Sequence, residues 1–249
     1  MMSQPLETYV NALWLPKTQD CNVSRMRSFD QIYAIAAERH GGPKGLEKSI
    51  AEHKPKSRAA IAKIPDDRWL STMTRCVFQA GFSWRVIENK WEGFESAFDK
   101  FNVKRCAMMS EKKIDALLKD TRIVRNARKV MSVPQNAQLL LELAKEHGSA
   151  GRFFGEWPDE DYVGLLDFLK KRASGLGGGS AMYFLRRMGK PSFMTSRDVV
   201  ARLVEEGVID KEPSGKAAMK KVQEAFNKWA EQSGRDLTTI SRTLAMSIG

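Results

Sequence analysis

The chain has 249 residues, with 41 Lys and Arg against 30 Asp and Glu, a formal net charge of +11 at pH 7. Its composition, 42% hydrophobic and 29% charged, excludes the disordered and fibrous classes; its longest apolar run, six residues from Ile32 to Ala37, is far short of the ~20 that a membrane-crossing helix needs. The basic excess favours an anionic partner, and nucleic acid is the largest in a cell.

Residues 1–27, which include Pro5 and Pro16, read as an irregular arm, and residues 28–249 as one domain. Ser28 and Gln31 form a capping-box pattern. Ile32, Ile35 and Ala36 follow at helical spacing, and Gly41-Gly42-Pro43 stops the helix. Ser110 opens a helix carrying Ile114, Leu117 and Leu118. Pro134 stands near the start of another, with Leu139, Leu140 and Leu143. After Trp157-Pro158-Asp159, an apolar stripe of Tyr162, Val163, Leu166 and Leu169 has period 3.6. Ser214 heads a last long segment with Val222, Phe226 and Trp229, closed by Gly234. No stretch alternates cleanly with period two. The pattern predicts an all-α chain of about ten helices. Three scattered cysteines, Cys21, Cys76 and Cys106, form neither a disulfide framework nor a metal knuckle. With no secretory leader pattern, a reducing cytoplasm is the expected setting.

Four of the 18 glycines fall within five positions, in Ser174-Gly175-Leu176-Gly177-Gly178-Gly179-Ser180-Ala181. Amphipathic segments lie on both sides, and the whole hairpin spans about residues 163–190. Glycine permits positive φ and close backbone approach, and a helix N-terminus offers N–H groups to a phosphate. The pattern G-L-G-x-x-x-A between helices is the helix-hairpin-helix arrangement. It points Leu176 inward and offers Gly175, Gly177, Gly179 and Ser180 to a DNA backbone. A P-loop fails for want of a following Lys-Ser/Thr, and a dinucleotide fingerprint for want of a preceding strand. A plain tight turn is the bland alternative.

Gln79-Ala80-Gly81-Phe82-Ser83-Trp84, and then Arg122-Ile123-Val124-Arg125-Asn126, Lys129 and Asn136-Ala137, resemble the DNA-3-methyladenine glycosylase I family over about Asp67 to Leu143. The likeness resumes in the hairpin from Leu165 to Arg202. This resemblance implies a two-lobed helix-hairpin-helix DNA glycosylase fold with a cleft between lobes. It also implies monofunctional hydrolysis of the N-glycosidic bond of an alkylated, 3-methyladenine-like base flipped from double-stranded DNA. The alternative is a DNA-binding protein that keeps the fold without excision. The base pocket would be Trp84, Gln79, Cys76 and Tyr33. Trp84 stacks on a cationic base, and Cys76 stands where the family carries a base-contacting glutamate. Trp84 as a plain core aromatic is the competing reading. Arg125 and Lys129, with Arg122, would follow phosphates along one helical face, or else form an ordinary solvated face.

The superfamily's D-x-x-V-x-R places its Asp at Arg197, so the carboxylate candidates are Asp198 and Glu38, with His40 beside the latter. The family's zinc ligands are replaced, the late pair by Asp198 and Arg202, and the early Y-H-D-x-E-W-G motif survives only as Tyr33 and Gly42. No metal or other cofactor is expected. The expected partner is duplex DNA, and the expected state a monomer.

Overall fold

The computed structural model describes residues 26–249; residues 1–25 of the expected arm lie outside the described residues. Fifteen α-helices make up the described chain: α1 (Phe29–Arg39), α2 (Gly42–Ala51), α3 (Arg58–Ala62), α4 (Asp66–Gln79), α5 (Trp84–Asn89), α6 (Trp91–Ala97), α7 (Val103–Ala107), α8 (Glu111–Lys119), α9 (Ala127–His147), α10 (Ala150–Glu156), α11 (Tyr162–Arg172), α12 (Gly179–Met188), α13 (Arg197–Glu205), α14 (Gly215–Ser233) and α15 (Leu237–Met246). Two 3-10 turns sit at Asp99–Phe101 and Asp159–Asp161, and no strand occurs among the described residues. The all-α expectation holds, but ten helices was too few. Helices α3, α5, α6, α7 and α10 have only five to seven residues, too short to display a 3.6-residue period.

The starts of these helices follow local chemistry. Ser28 accepts from the Gln31 N–H while the Gln31 side chain accepts from the Ser28 N–H, the reciprocal box expected at α1. Ser110 caps α8 by accepting from the Lys113 N–H alone. Pro134 does not open its helix. Asn126 caps α9 by accepting from Lys129, and Pro134 lies inside a 21-residue helix. An interior proline costs about 3 kcal/mol. Burial of Val130, Val133, Ala137, Leu140 and Leu143 along the same helix offsets it.

Helices α4 and α9 pack against each other, with α7, α8 and α10 around them, and α3 rests on α10. A second group joins α1, α2, α13, α14 and α15. The hairpin α11–α12 touches both, through α12 on α4 and α11 on α14. One apolar core runs through both groups, from Phe29 to Leu244. Phe184 of α12 meets Trp69 of α4 and Phe154 of α10 edge-on, at 5.7 Å each. This contact sets where the hairpin stands relative to the end of α4.

A buried ion network closes the second group. The Arg202 guanidinium on α13, 3% exposed, donates to Ser247 Oγ and to the Ser247 carbonyl, at 2.7 Å each. It also donates to Glu205 at 2.7 Å and Glu206 at 3.3 Å. Glu206 in turn accepts from the Arg27 backbone and side chain, at 2.8 Å each. His40 Nε2 lies 3.0 Å from the neighbouring carbonyl of Met246. The start of the described chain, α13 and the C-terminal turn are thereby tied together.

Candidate base pocket and nucleic-acid interface

The glycine turn is built by its backbone. Gly175 has φ +77°, and Gly178, which caps α12, has φ +53° and ψ −128°; L side chains rarely adopt either conformation. Leu176 is buried, as expected. Asn136 of α9, fully buried, holds the turn with both ends of its amide. Its Oδ1 accepts from the Ser174 N–H at 2.7 Å, and its Nδ2 donates to the Ser174 carbonyl at 3.0 Å. Gly177, Gly178 and Gly179 are exposed. Among the described residues, the N–H groups of Gly177 and Gly179 donate to no backbone acceptor. Replacing Asn136 by Ala strands two buried backbone groups. It is expected to cost about 2–4 kcal/mol, read as a lowered midpoint in urea unfolding at unchanged slope.

Beside this turn, the end of α4, the start of α5 and the first turn of α12 enclose a cavity of about 290 Å³, lined by Cys76, Gln79, Ala80, Gly81, Trp84, Gly179, Ser180 and Tyr183. Three expected pocket residues, Trp84, Gln79 and Cys76, come together here with two of the expected hairpin residues, Gly179 and Ser180. Trp84 is 44% exposed, so it is not a core aromatic. Its ring meets Tyr183 at 5.0 Å, nearly perpendicular at 84°. Phe82, at the α4–α5 turn, is also exposed.

Behind the wall, Arg187, one helical turn after Tyr183, donates to Gln79 Oε1 at 2.6 Å. The same nitrogen lies 3.8 Å from Cys76 Sγ, and the guanidinium carbon stands 4.9 Å from the Trp84 ring centre. Gln79 Nε2 donates to Glu88 at 2.8 Å, and Glu88 is 3.5 Å from Arg75. The orientation of the Gln79 amide is therefore set at both ends. Burial pushes the Cys76 thiol up to about 11, against the opposing pull of Arg187 and Arg75. The side chain is a neutral thiol at physiological pH. Iodoacetamide is expected to modify Cys76 slowly in the native protein at pH 8, followed by mass spectrometry of that peptide. With the folded pKa above the unfolded value of about 8.5, the unfolded chain releases this proton first. Stability due to Cys76 is thus fully present below about pH 8.5 and is lost as pH rises towards 11.

The remaining expected site residues lie elsewhere. Tyr33, on α1, donates to Glu47 at 2.9 Å and carries Arg235 over its ring; it packs on the small α1–α2 cluster, not on the cavity. Glu38 is exposed on α1, and Asp198 is exposed in the first turn of α13; neither lines the cavity. Arg122 and Arg125 precede α9, so the expected single helical face does not form. Arg122 is paired with Asp120 at 2.7 Å, and Arg125 is exposed. Lys129 turns inward, donating to the carbonyls of Phe78, at 3.1 Å, and Ala80. Burial draws its pKa down. Its role is to hold the C-terminal end of α4. Basic residues that follow the hairpin turn, in 186–190 and 197–202, are largely inward too: Lys190 is buried against Asp159 at 2.7 Å, Arg186 bonds Ser192, and Arg202 is in the network above.

That network also bears on zinc. Arg202 occupies one of the two late ligand positions of the resemblance, and its guanidinium leaves no donor for a metal. The other, Asp198, is exposed. Among the described residues no group of three or more His, Cys, Asp or Glu could hold an ion.

Sequence reasoning missed Arg187, Tyr183 and Glu88. Tyr183 and Arg187 stand four apart on α12, which an i, i+4 reading from Gly179 would have found. Glu88 has no such signal, since it meets Gln79 across a turn.

No helix among the described residues is long and apolar enough to cross a membrane. Residues 61–163 match the family model described as methyladenine glycosylase. The match takes in Cys76, Gln79, Trp84, Lys129 and Asn136, and ends before the hairpin turn. The chain is 33% identical over 67 residues to DNA-3-methyladenine glycosylase of Haemophilus influenzae, covering 27% of this chain and 36% of that protein. It is 31% identical over 65 residues to DNA-3-methyladenine glycosylase 1 of Escherichia coli K12, covering 26% and 35%. The matches thus span about a third of the length of these curated relatives. A crystal structure of 3-methyladenine DNA glycosylase I aligns at 23% identity and TM-score 0.46, over 55% of this chain and 82% of that one. Over residues 61–163, this chain is similar to the methyladenine glycosylase family.

Proposed function

We propose that the protein is a DNA base-excision repair glycosylase that hydrolyses the N-glycosidic bond of a damaged base flipped from duplex DNA. The observation that carries this reading is the cavity that joins Trp84, Tyr183, Gln79 and Cys76 to the first turn of α12. A pocket of aromatic rings for a base thereby opens beside exposed N–H groups suited to the neighbouring phosphate. Alkylated adenine is the substrate named for the curated relatives, and a 3-methyladenine-like base is the reference substrate here. Water adds to C1′, the C1′–N bond breaks with its electrons on the base, and the products are free base and an abasic site. No lysine lines the cavity, which supports hydrolysis without strand nicking. Duplex DNA as partner, a monomeric state, a cytoplasmic setting and a fold that needs no zinc belong to the same reading.

The test is release of free base from lesion-bearing duplex DNA, with Gly179→Leu as the interface probe. A side chain at Gly179 meets nothing within 4 Å, so the fold is retained. Duplex affinity is expected to fall on the order of tenfold as the N–H groups are covered. Unchanged affinity would reject the hairpin as the phosphate site. A second reading, lesion binding without excision, is favoured by one fact: no carboxylate lines the cavity. It predicts salt-dependent duplex binding with no base released.

A further inference from the structure

Three features of the pocket wall bear on which base it takes. The position at which the resemblance implies a glutamate is Cys76, a neutral thiol. The nearest carboxylate in the hydrogen-bond network, Glu88, is shared between Gln79 Nε2 and Arg75. And a full positive charge, Arg187, sits against three lining residues at once: Gln79, Cys76 and the Trp84 ring. The charged groups at this wall are therefore Arg187, Arg75 and Lys129 against Glu88, a surplus of positive charge.

A cationic N-alkylated purine gains from an indole face by cation–π attraction and from a nearby carboxylate by direct pairing. Here the indole already faces a guanidinium, so a second cation on the same ring is repelled by the first. A neutral base meets the opposite field. Its carbonyl oxygens carry partial negative charge, which the positive field of Arg187 behind Gln79, Cys76 and Trp84 attracts. Ser180, on the cavity wall, adds a hydroxyl. The leaving step distinguishes the two classes in the same direction. A cationic base departs neutral and needs no help. A neutral base departs with the bonding electron pair as an anion, and a positive charge lowers the energy of that developing charge. Water supplies its oxygen to C1′; one of its protons stays in the new hydroxyl and the other neutralises the base.

We propose that Arg187 makes this pocket select a neutral, carbonyl-bearing base over a cationic N-alkylated purine. This rests on the base-excision reading above and names the substrate class for the same cavity.

The experiment compares single-turnover release of uracil, hypoxanthine and 8-oxoguanine with release of 3-methyladenine from matched duplexes, by the full chain and by Arg187→Met, Arg187→Lys and Cys76→Glu. The expected result is at least one neutral base released about tenfold or more faster than 3-methyladenine. Arg187→Met is expected to erase that preference, Arg187→Lys to keep most of it, and Cys76→Glu to shift it towards the cation. Faster release of 3-methyladenine by the unaltered chain would overturn the proposal and leave the glycosylase reading standing, as would a preference for neutral bases that survives Arg187→Met. If no base is released, binding to the same duplexes decides. A preference for the neutral-base duplexes that Arg187→Met removes would uphold the selectivity while overturning excision, and equal binding to damaged and undamaged duplex would overturn both.

Discussion

Trp84→Ala is expected to abolish most base handling while leaving the fold intact. The indole is 44% exposed and lies on a six-residue helix outside the apolar core, so its loss removes little packing. What it removes is the largest flat surface in the cavity and the partner of both Tyr183 and Arg187. Stacking of a base on an aromatic ring contributes about 1–3 kcal/mol, equivalent to a ~5- to 150-fold loss. Disordering of Arg187 adds to this. Release rates should fall by roughly a hundredfold with thermal unfolding changed by less than about 2 °C. A variant that unfolds several degrees lower would instead make Trp84 a structural residue.

Arg202→Ala is expected to have the largest effect on stability. The substitution leaves the buried Ser247 carbonyl and hydroxyl without their donor and removes one of the two cations at Glu206. Breaking a buried ion pair from one side costs about 3–5 kcal/mol. At about 2–4 °C per kcal/mol for a chain of this size, the midpoint of thermal unfolding should drop by ~10 °C. Because Glu205 is half exposed, its lost pairing adds little. Glu205→Ala should therefore be nearly silent, which separates the buried part of the network from its surface. Arg202→Lys, which keeps the charge but not the planar set of donors, should recover only part of the loss.

Much of the fold was legible because it is written locally. The Ser28–Gln31 box, the Ser110 cap and the glycine turn each depend on residues within a few positions of one another. Their signals survive without knowledge of the tertiary structure. Leu176 could be placed inward for the same reason. Charge was the poor guide. Lys190 and Arg202 stand in basic clusters along the chain, yet they are buried against Asp159, and against Glu206 and Ser247, which are 31, 4 and 45 positions away respectively. A solvated cation and a buried, paired one look alike in sequence. Pro134 misled in a different way. It marks a helix start by propensity, but packing along α9 outweighs that preference and the helix begins at the Asn126 cap. The pocket was half legible. Gln79 and Trp84 came from the segment that resembles the family, whereas Arg187 is seen only once α12 is laid against α4. Asn136 was noticed as part of a motif, and its pairing with Ser174 supplies the physical reason it matters to the hairpin.

In the proposed function a damaged base is excised in the Trp84 cavity beside the glycine hairpin. The most direct measurement is single-turnover release of free base from duplexes carrying methylated, deaminated or oxidised bases, by the unaltered chain and by Trp84→Ala. Release that leaves an intact abasic strand and falls by about two orders of magnitude in Trp84→Ala is the predicted result. No release from any of these duplexes, or release that Trp84→Ala leaves unchanged, would contradict it.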